Sequence, residues 1–252
     1  MEPEGGGATQ LCPRALRARQ EASISAEETH HAGKATNIVV QEGGKLRLAL
    51  WVFLILVPAC AQHTPGRFDY YVLSLSWSPE YCAGPAAARN SEQCGEGRRY
   101  GFVVHGLWPQ YERGWPQDCA AANPVDAAIV ARMLPLMPAE GLIQHQWRKH
   151  GTCSGLDAAS YFEWTEKAFR RFQIPADFRQ PLKQVEMPAE SVRQKLLAAN
   201  PSYPRGSIKL ACRGRYLSEV RICLTRNLEP RACSASVRDS CPASNIILRP
   251  VR

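Results

Sequence analysis

Residues 100–109 read Tyr100-Gly101-Phe102-Val103-Val104-His105-Gly106-Leu107-Trp108-Pro109. Aromatic and β-branched residues dominate, which predicts a strand that closes at Pro109. Residues 69–77, Asp-Tyr-Tyr-Val-Leu-Ser-Leu-Ser-Trp, have the same character and predict an earlier strand ended by Pro79. Between them, residues 82–98 form a polar, Gly-containing loop bracketed by Cys82 and Cys94, and residues 110–124 form an aromatic, Pro-containing loop. Apolar spacing then predicts helices over 125–137, with Pro135 weakening the end, over 142–150 with Gly151 as the stop, from 157 to about 172, and over 188–199. Strands return at 207–212 and 216–224 around a turn at Gly214, with a short last strand at 245–249. Strands at both ends and helices between them predict an α+β single domain with a mainly antiparallel sheet and several helices.

The chain has 252 residues, 45% hydrophobic and 21% charged, a globular balance that excludes a disordered, collagen-like or coiled-coil protein. Residues 48–59, LALWVFLILVPA, are too short a run for the ~20 apolar residues of a membrane-spanning helix. Lys45 and Arg47 precede it and Ala59-Cys60-Ala61 follows, so residues 45–61 read as a signal peptide, with a buried core helix as the plainer alternative. Cys60 carries a second reading, because Val57-Pro58-Ala59-Cys60 resembles the site where bacterial lipoproteins are cut and acylated, which would give a lipid anchor without a membrane span. Residues 1–44 lack periodicity and precede the signal; they read as a disordered extension or a mis-called start, with a cytoplasmic tail on an uncleaved anchor as the alternative, and Cys12, His30 and His31 receive no role.

Cleavage before Gln62 would leave residues 62–252. Residues 1–61 hold six basic and six acidic residues, so the whole +8 excess falls on the exported part and favours an anionic partner. Eight of the ten cysteines remain there, none in C-x-x-C spacing. An even number in an exported chain predicts four disulfides and an oxidising compartment, secreted or periplasmic.

The candidate chemistry lies in two segments. Three of the four histidines of residues 62–252 are His105 in the first stretch and His145 and His150 in His145-Gln146-Trp147-Arg148-Lys149-His150-Gly151-Thr152-Cys153. On a helix His145 and Lys149 share a face, as do Gln146 and His150. Two imidazoles and an ammonium suit phosphoryl chemistry: one ring takes a proton, the other gives one, and the ammonium stabilises charge on the phosphorus oxygens. Metal chemistry is the competitor, but His145 and His150 are five apart with no glutamate between them, and Lys149 would repel a divalent cation.

Phe-Val-Val-His-Gly-Leu-Trp-Pro at 102–109 and Trp-Arg-Lys-His-Gly-Thr-Cys at 147–153 resemble the two signature blocks of the ribonuclease T2 family. The resemblance implies an α+β, metal-independent endoribonuclease with no cofactor, acting on single-stranded RNA as a monomer. In that family the 2′-hydroxyl of RNA attacks the adjacent phosphorus, giving a 2′,3′-cyclic phosphate that is hydrolysed to a 3′-phosphate. The resemblance assigns His150 as the base, His105 as the acid, Lys149 to the transition-state charge and His145 to the phosphate. It makes Trp108 a base-stacking candidate, against the plainer reading of core packing, which is preferred for Trp147. Tyr111 and Trp115 are further base-binding candidates; Arg113 and Arg148 are phosphate candidates or simply solvated.

One position departs from the family: glutamate usually precedes the tryptophan of the second block, and here it is Gln146. An amide keeps hydrogen bonding but loses the charge and leaves neighbouring histidines less cationic. Gln146 therefore motivates the rival expectation, a non-catalytic RNA-binding or interaction protein on the same fold; a metal-dependent phosphodiesterase is the second rival. The resemblance also suggests pairings Cys82–Cys94 and Cys119–Cys153. For the remaining four, a nested pattern of Cys212–Cys241 outside Cys223–Cys233 is expected, although sequence alone leaves 105 connectivities for eight cysteines open.

Overall fold

A computed structural model describes residues 63–251 except Ala86 and Ala243. The segments read as a signal peptide and as an extension at 1–44, and Cys60, lie outside the described residues. Among the described residues no helix is long and apolar enough to cross a membrane.

The chain opens with β1 (Tyr70–Trp77), α1 (Ser78–Cys82), a 3-10 turn and α2 (Ser91–Cys94), then β2 (Phe102–Gln110). Helices α3 (Ala127–Met133), α4 (Glu140–Lys149), α5 (Ala158–Arg171) and α6 (Ala176–Arg179) follow. The end of the chain alternates β3 (Val185–Pro188), α7 (Ala189–Ala198), β4 (Ile208–Arg213), β5 (Tyr216–Thr225) and β6 (Asn245–Leu248). One six-stranded sheet results, in the order β2-β1-β5-β6-β3 with β4 also on β5. All pairings are antiparallel except a short parallel contact of β5 with β6.

The expected α+β architecture is present, with local differences that have physical reasons. Pro79 does not merely end β1; it stands in the first turn of α1, where its missing N–H is an orphan donor anyway. The loop expected at 82–98 contains the 3-10 turn and α2, the latter capped by the Asn90 side chain accepting from Gln93 N–H at 3.1 Å. β2 does not close at Pro109 but runs on to Gln110, because β2 is the edge of the sheet and an edge tolerates proline. The outer side of that edge is covered: Val104 N–H donates to Leu136 O, between α3 and α4, at 2.9 Å. α5 begins where Asp157 accepts from Ser160 N–H at 2.8 Å, and the β4–β5 turn uses Gly214 at φ +59°.

The two sheet faces differ. Tyr71, Leu73, Leu75 and Trp77 of β1 and Val220, Ile222 and Leu224 of β5 join Ile143, Tyr161, Phe162, Val192 and Leu196 of the helices in the main core. The other face carries a smaller cluster of Tyr70, Val72, Trp108, Cys223 and Val237. Among the described residues four disulfides join Cys82–Cys94, Cys119–Cys153, Cys212–Cys241 and Cys223–Cys233.

Candidate active site

β2 places its histidine by an irregularity. Leu107 and Val104 are both fully buried in the main core, although residues three apart on a regular strand point to opposite faces. The conflict is resolved at His105. Ser74 pairs with Gly106 and Leu75 with Val104, so His105 has no partner residue on β1 and forms a β-bulge. The extra residue takes His105 out of core parity and onto the face of Gly106 and Trp108.

β5 meets it there. Glu219 and Arg221 stand at the register positions opposite Ser76 and Ser74, on the face away from Val220 and Ile222. His105 Nδ1 lies 2.7 Å from Glu219 Oε1, and Glu219 Oε2 accepts from Arg221 Nη2 and Nε at 2.8 and 2.9 Å. Burial alone would raise the Glu219 carboxyl, but the His105 hydrogen bond and charge, with Arg221, more than reverse this and bring it down to about 2. A permanent carboxylate therefore faces His105 Nδ1, makes that nitrogen the N–H donor and leaves Nε2 as the reacting atom.

α4 packs against β2 and supplies the other half. Gln146 is fully buried and His150, at the helix C-cap, is 3% exposed, while His145 and Lys149 are partly exposed. Burial first, then the charges of Lys149, His105 and His145, holds the His150 imidazole well below its usual 6.5. Among the described residues both His150 ring nitrogens and Gln146 Nε2 are buried without a hydrogen-bond partner, and the lowered pKa leaves the ring a neutral proton acceptor beside Lys149. The expected stop at Gly151 opens a 3-10 turn instead, and its missing Cβ permits tight packing, since a Cβ there would come within 3.0 Å of both Trp147 and Tyr161. The Cys119–Cys153 bridge and the Asp118 N–H to Lys149 O bond of 2.8 Å tie the preceding loop to this end of the helix.

Trp108 stands between the two imidazoles, edge-on to His105 at 5.1 Å and 5.5 Å from His150. Its indole N–H donates to Gln146 Oε1 at 2.7 Å, so the amide keeps the bond that fixes the tryptophan while carrying no charge of its own. Gly106 makes this approach feasible: a Cβ there would overlap both Gln146 Oε1 and Trp108 Nε1. Trp108 is 9% exposed and packed with Val72 and Cys223, the position of a buried floor more than of an open stacking platform.

The structure thus brings His105, Trp108, Gln146 and His150 together, with the charges of His145 and Lys149 acting on His150. Trp147 packs on the core beside Tyr161. Tyr111 is engaged with His63, 3.2 Å from its hydroxyl to Nδ1, and Trp115 stands half exposed in the following loop. Arg148 Nη2 lies 3.3 Å from His145 Nδ1. Sequence reasoning missed Glu219, Arg221 and the spacer role of Gly106. The only local signal was the pair of opposite charges on alternate positions of β5, which reads as an ordinary solvated strand face.

Comparison with known proteins gives concordant findings. Residues 68–233 match the family model described as the Ribonuclease T2 family. A ribonuclease of Aeromonas hydrophila is 36% identical over 201 residues, covering 76% of this chain and 90% of that protein. Intracellular ribonuclease LX of Solanum lycopersicum is 29% identical over 138 residues, covering 47% of this chain and 54% of that protein. Among solved structures, trichomaglin, described as a novel S-like ribonuclease, superposes with TM-score 0.59 at 22% identity, over 73% of this chain and 99% of that one. An RNase-related protein from Calystegia sepium gives 0.58 at 22% identity, over 73% and 98%. At such identity the structural likeness speaks for the fold.

Proposed function

Since the chain belongs to the ribonuclease T2 family and is an endoribonuclease, we propose that it cleaves single-stranded RNA without a metal, by transphosphorylation to a 2′,3′-cyclic phosphate and then hydrolysis to a 3′-phosphate. Residues 62–252 form the catalytic domain, exported to the periplasm or medium after loss of residues 45–61. The observation that carries this reading is the different environment of two imidazoles across one indole: the pKa of His150 is held down by burial and by Lys149, His105 and His145, whereas His105 faces the Glu219 carboxylate.

In the first step neutral His150 takes the 2′-hydroxyl proton as the oxygen attacks phosphorus. The bond from phosphorus to the 5′-oxygen breaks, and protonated His105 delivers its Nε2 proton to that oxygen. Lys149 stabilises the charge on the non-bridging oxygens and His145 helps hold the phosphate. In the second step the roles reverse, His105 activating water and His150 protonating the departing 2′-oxygen. DNA lacks the internal nucleophile and is not a substrate. Half-exposed Trp115 is the better placed of the loop aromatics to stack on a base.

The test is short single-stranded RNA incubated with the disulfide-bonded protein in excess EDTA, with the product ends read by mass spectrometry and His150→Ala as control. Cyclic and 3′-phosphate ends that disappear in the control are expected. Intact RNA over a wide pH range would instead favour the non-catalytic reading, for which uncharged Gln146 is the supporting observation; cleavage that EDTA abolishes would favour a metal enzyme.

A further inference from the structure

His105 and Glu219 are 114 residues apart in sequence and on strands that are not neighbours, since β1 lies between β2 and β5. Side chains two strands apart meet only if the strand between them is low. On this face β1 presents Ser74 and Ser76, at the register positions flanked by Gly106 and Arg221 and by Val103 and Glu219. Elsewhere on the same face β1 carries Tyr70 and Val72, which are large and fill the second cluster. The serines are thus the gap through which β2 and β5 touch. Arg221 uses the same gap: its guanidinium carbon lies 5.8 Å from the Trp108 ring centroid. The chain His105–Glu219–Arg221–Trp108 is closed, because Trp108 also contacts His105.

We propose that Glu219 is a positioning residue for His105: its carboxylate, held by Arg221, fixes the imidazole with Nδ1 as donor and aims Nε2 at the leaving 5′-oxygen. The inference rests on the ribonuclease reading above and adds a residue to it. It also bears on the departure at Gln146. With an amide on α4, Glu219 is a carboxylate that touches a catalytic imidazole, and it reaches the acid, not the base. The carboxylate that faces the acid then comes from β5, not from α4.

The experiment separates help to the leaving group from general damage. A dinucleoside phosphate needs its departing alkoxide protonated. A nucleoside 3′-(4-nitrophenyl phosphate) releases a stabilised phenolate and does not, yet it uses the same 2′-hydroxyl attack and the same base. Glu219→Gln should lower kcat on the dinucleoside phosphate by about 10- to 100-fold with KM little changed, and leave the rate on the nitrophenyl ester within about threefold of the parent. An equal loss on both substrates, or no loss on the dinucleoside phosphate, overturns the proposal. A second measurement needs no variant: nitrogen-15 NMR of the parent should find the neutral His105 ring protonated on Nδ1, and protonation on Nε2 instead overturns it. A parent that cleaves neither substrate refutes the ribonuclease mechanism itself; a parent that cleaves both while the variant loses both equally refutes only the role of Glu219.

Discussion

Gly106→Ala is the sharpest perturbation of the site, because it adds one methyl group where Trp108 and Gln146 meet. Gly106 does not have a positive φ among the described residues, so alanine meets no backbone strain and the cost is purely one of space. The new Cβ would overlap Gln146 Oε1 and Trp108 Nε1 and stand 2.9 Å from Gln146 Cδ, each well inside ordinary contact. Gln146 is fully buried and Trp108 nearly so, and neither can swing into solvent. Overpacking of this kind costs about 1–3 kcal/mol. If the Trp108 N–H and the amide carbonyl separate, an unsatisfied buried pair adds about as much again. The expected destabilisation is therefore about 2–6 kcal/mol, a large part of a domain's typical stability of about 5–15 kcal/mol. Because the indole spaces His105 from His150, kcat should also fall, by about 100-fold for an ångström of displacement. Urea unfolding followed by circular dichroism measures the first effect and steady-state RNA cleavage the second. Adding Gln146→Ala removes one of the overlapping groups and should restore more than about 1 kcal/mol in a double-mutant cycle. A Gly106→Ala protein as stable and as active as the parent would show that the Trp108–Gln146 contact does not set the site.

Three other outcomes are expected. Gln146→Glu places an anion beside His150 and raises that imidazole's pKa; since the base must be neutral, the acid limb of the kcat/KM profile moves toward higher pH, and an unmoved limb would sever Gln146 from His150. His150 has a depressed pKa in the fold, so the unfolded chain binds the extra proton. Stability is then full above about pH 6.5 and falls as the pH drops below it, while Glu219 adds a further loss only from about 4.5 down toward 2; His150→Gln should flatten the parent's decline between pH 6.5 and 4.5, measured by urea unfolding. Replacing Cys119 and Cys153 together by alanine opens a bridge with a sequence separation of 34 and should cost about 3–4 kcal/mol of unfolding free energy, with a lower kcat because the end of α4 loses its tie.

The parts of the fold written in local chemistry were legible. Alternating strands at β1 and β5, the glycine turn between β4 and β5 and the Asp157 cap of α5 each announce themselves within a few residues. The short helices α1, α2 and α6 and the strand β3 have four or five residues each, too few for any period to show. Pro79 is ambiguous as a local signal because proline both ends strands and starts helices. In the site, the two histidine blocks were visible as words. Glu219 was not, because its meaning lies in a contact across β1 with a residue 114 positions earlier. Nor was the bulge, since nothing in Val103-Val104-His105 says which residue will be passed over by its neighbour strand.

That bulge makes the position of the histidine a matter of counting. Substitutions at Val103 or Val104 change packing but leave the tally of residues along β2 intact. Deleting Val104 would not: His105 would then fall opposite Leu75, with Gly106 and Trp108 still in place, and its ring would turn into the apolar layer beneath the helices. The enzyme should therefore tolerate spelling changes in this strand far better than length changes, and a library of single-residue deletions through β2 would lose activity even where every catalytic side chain is retained.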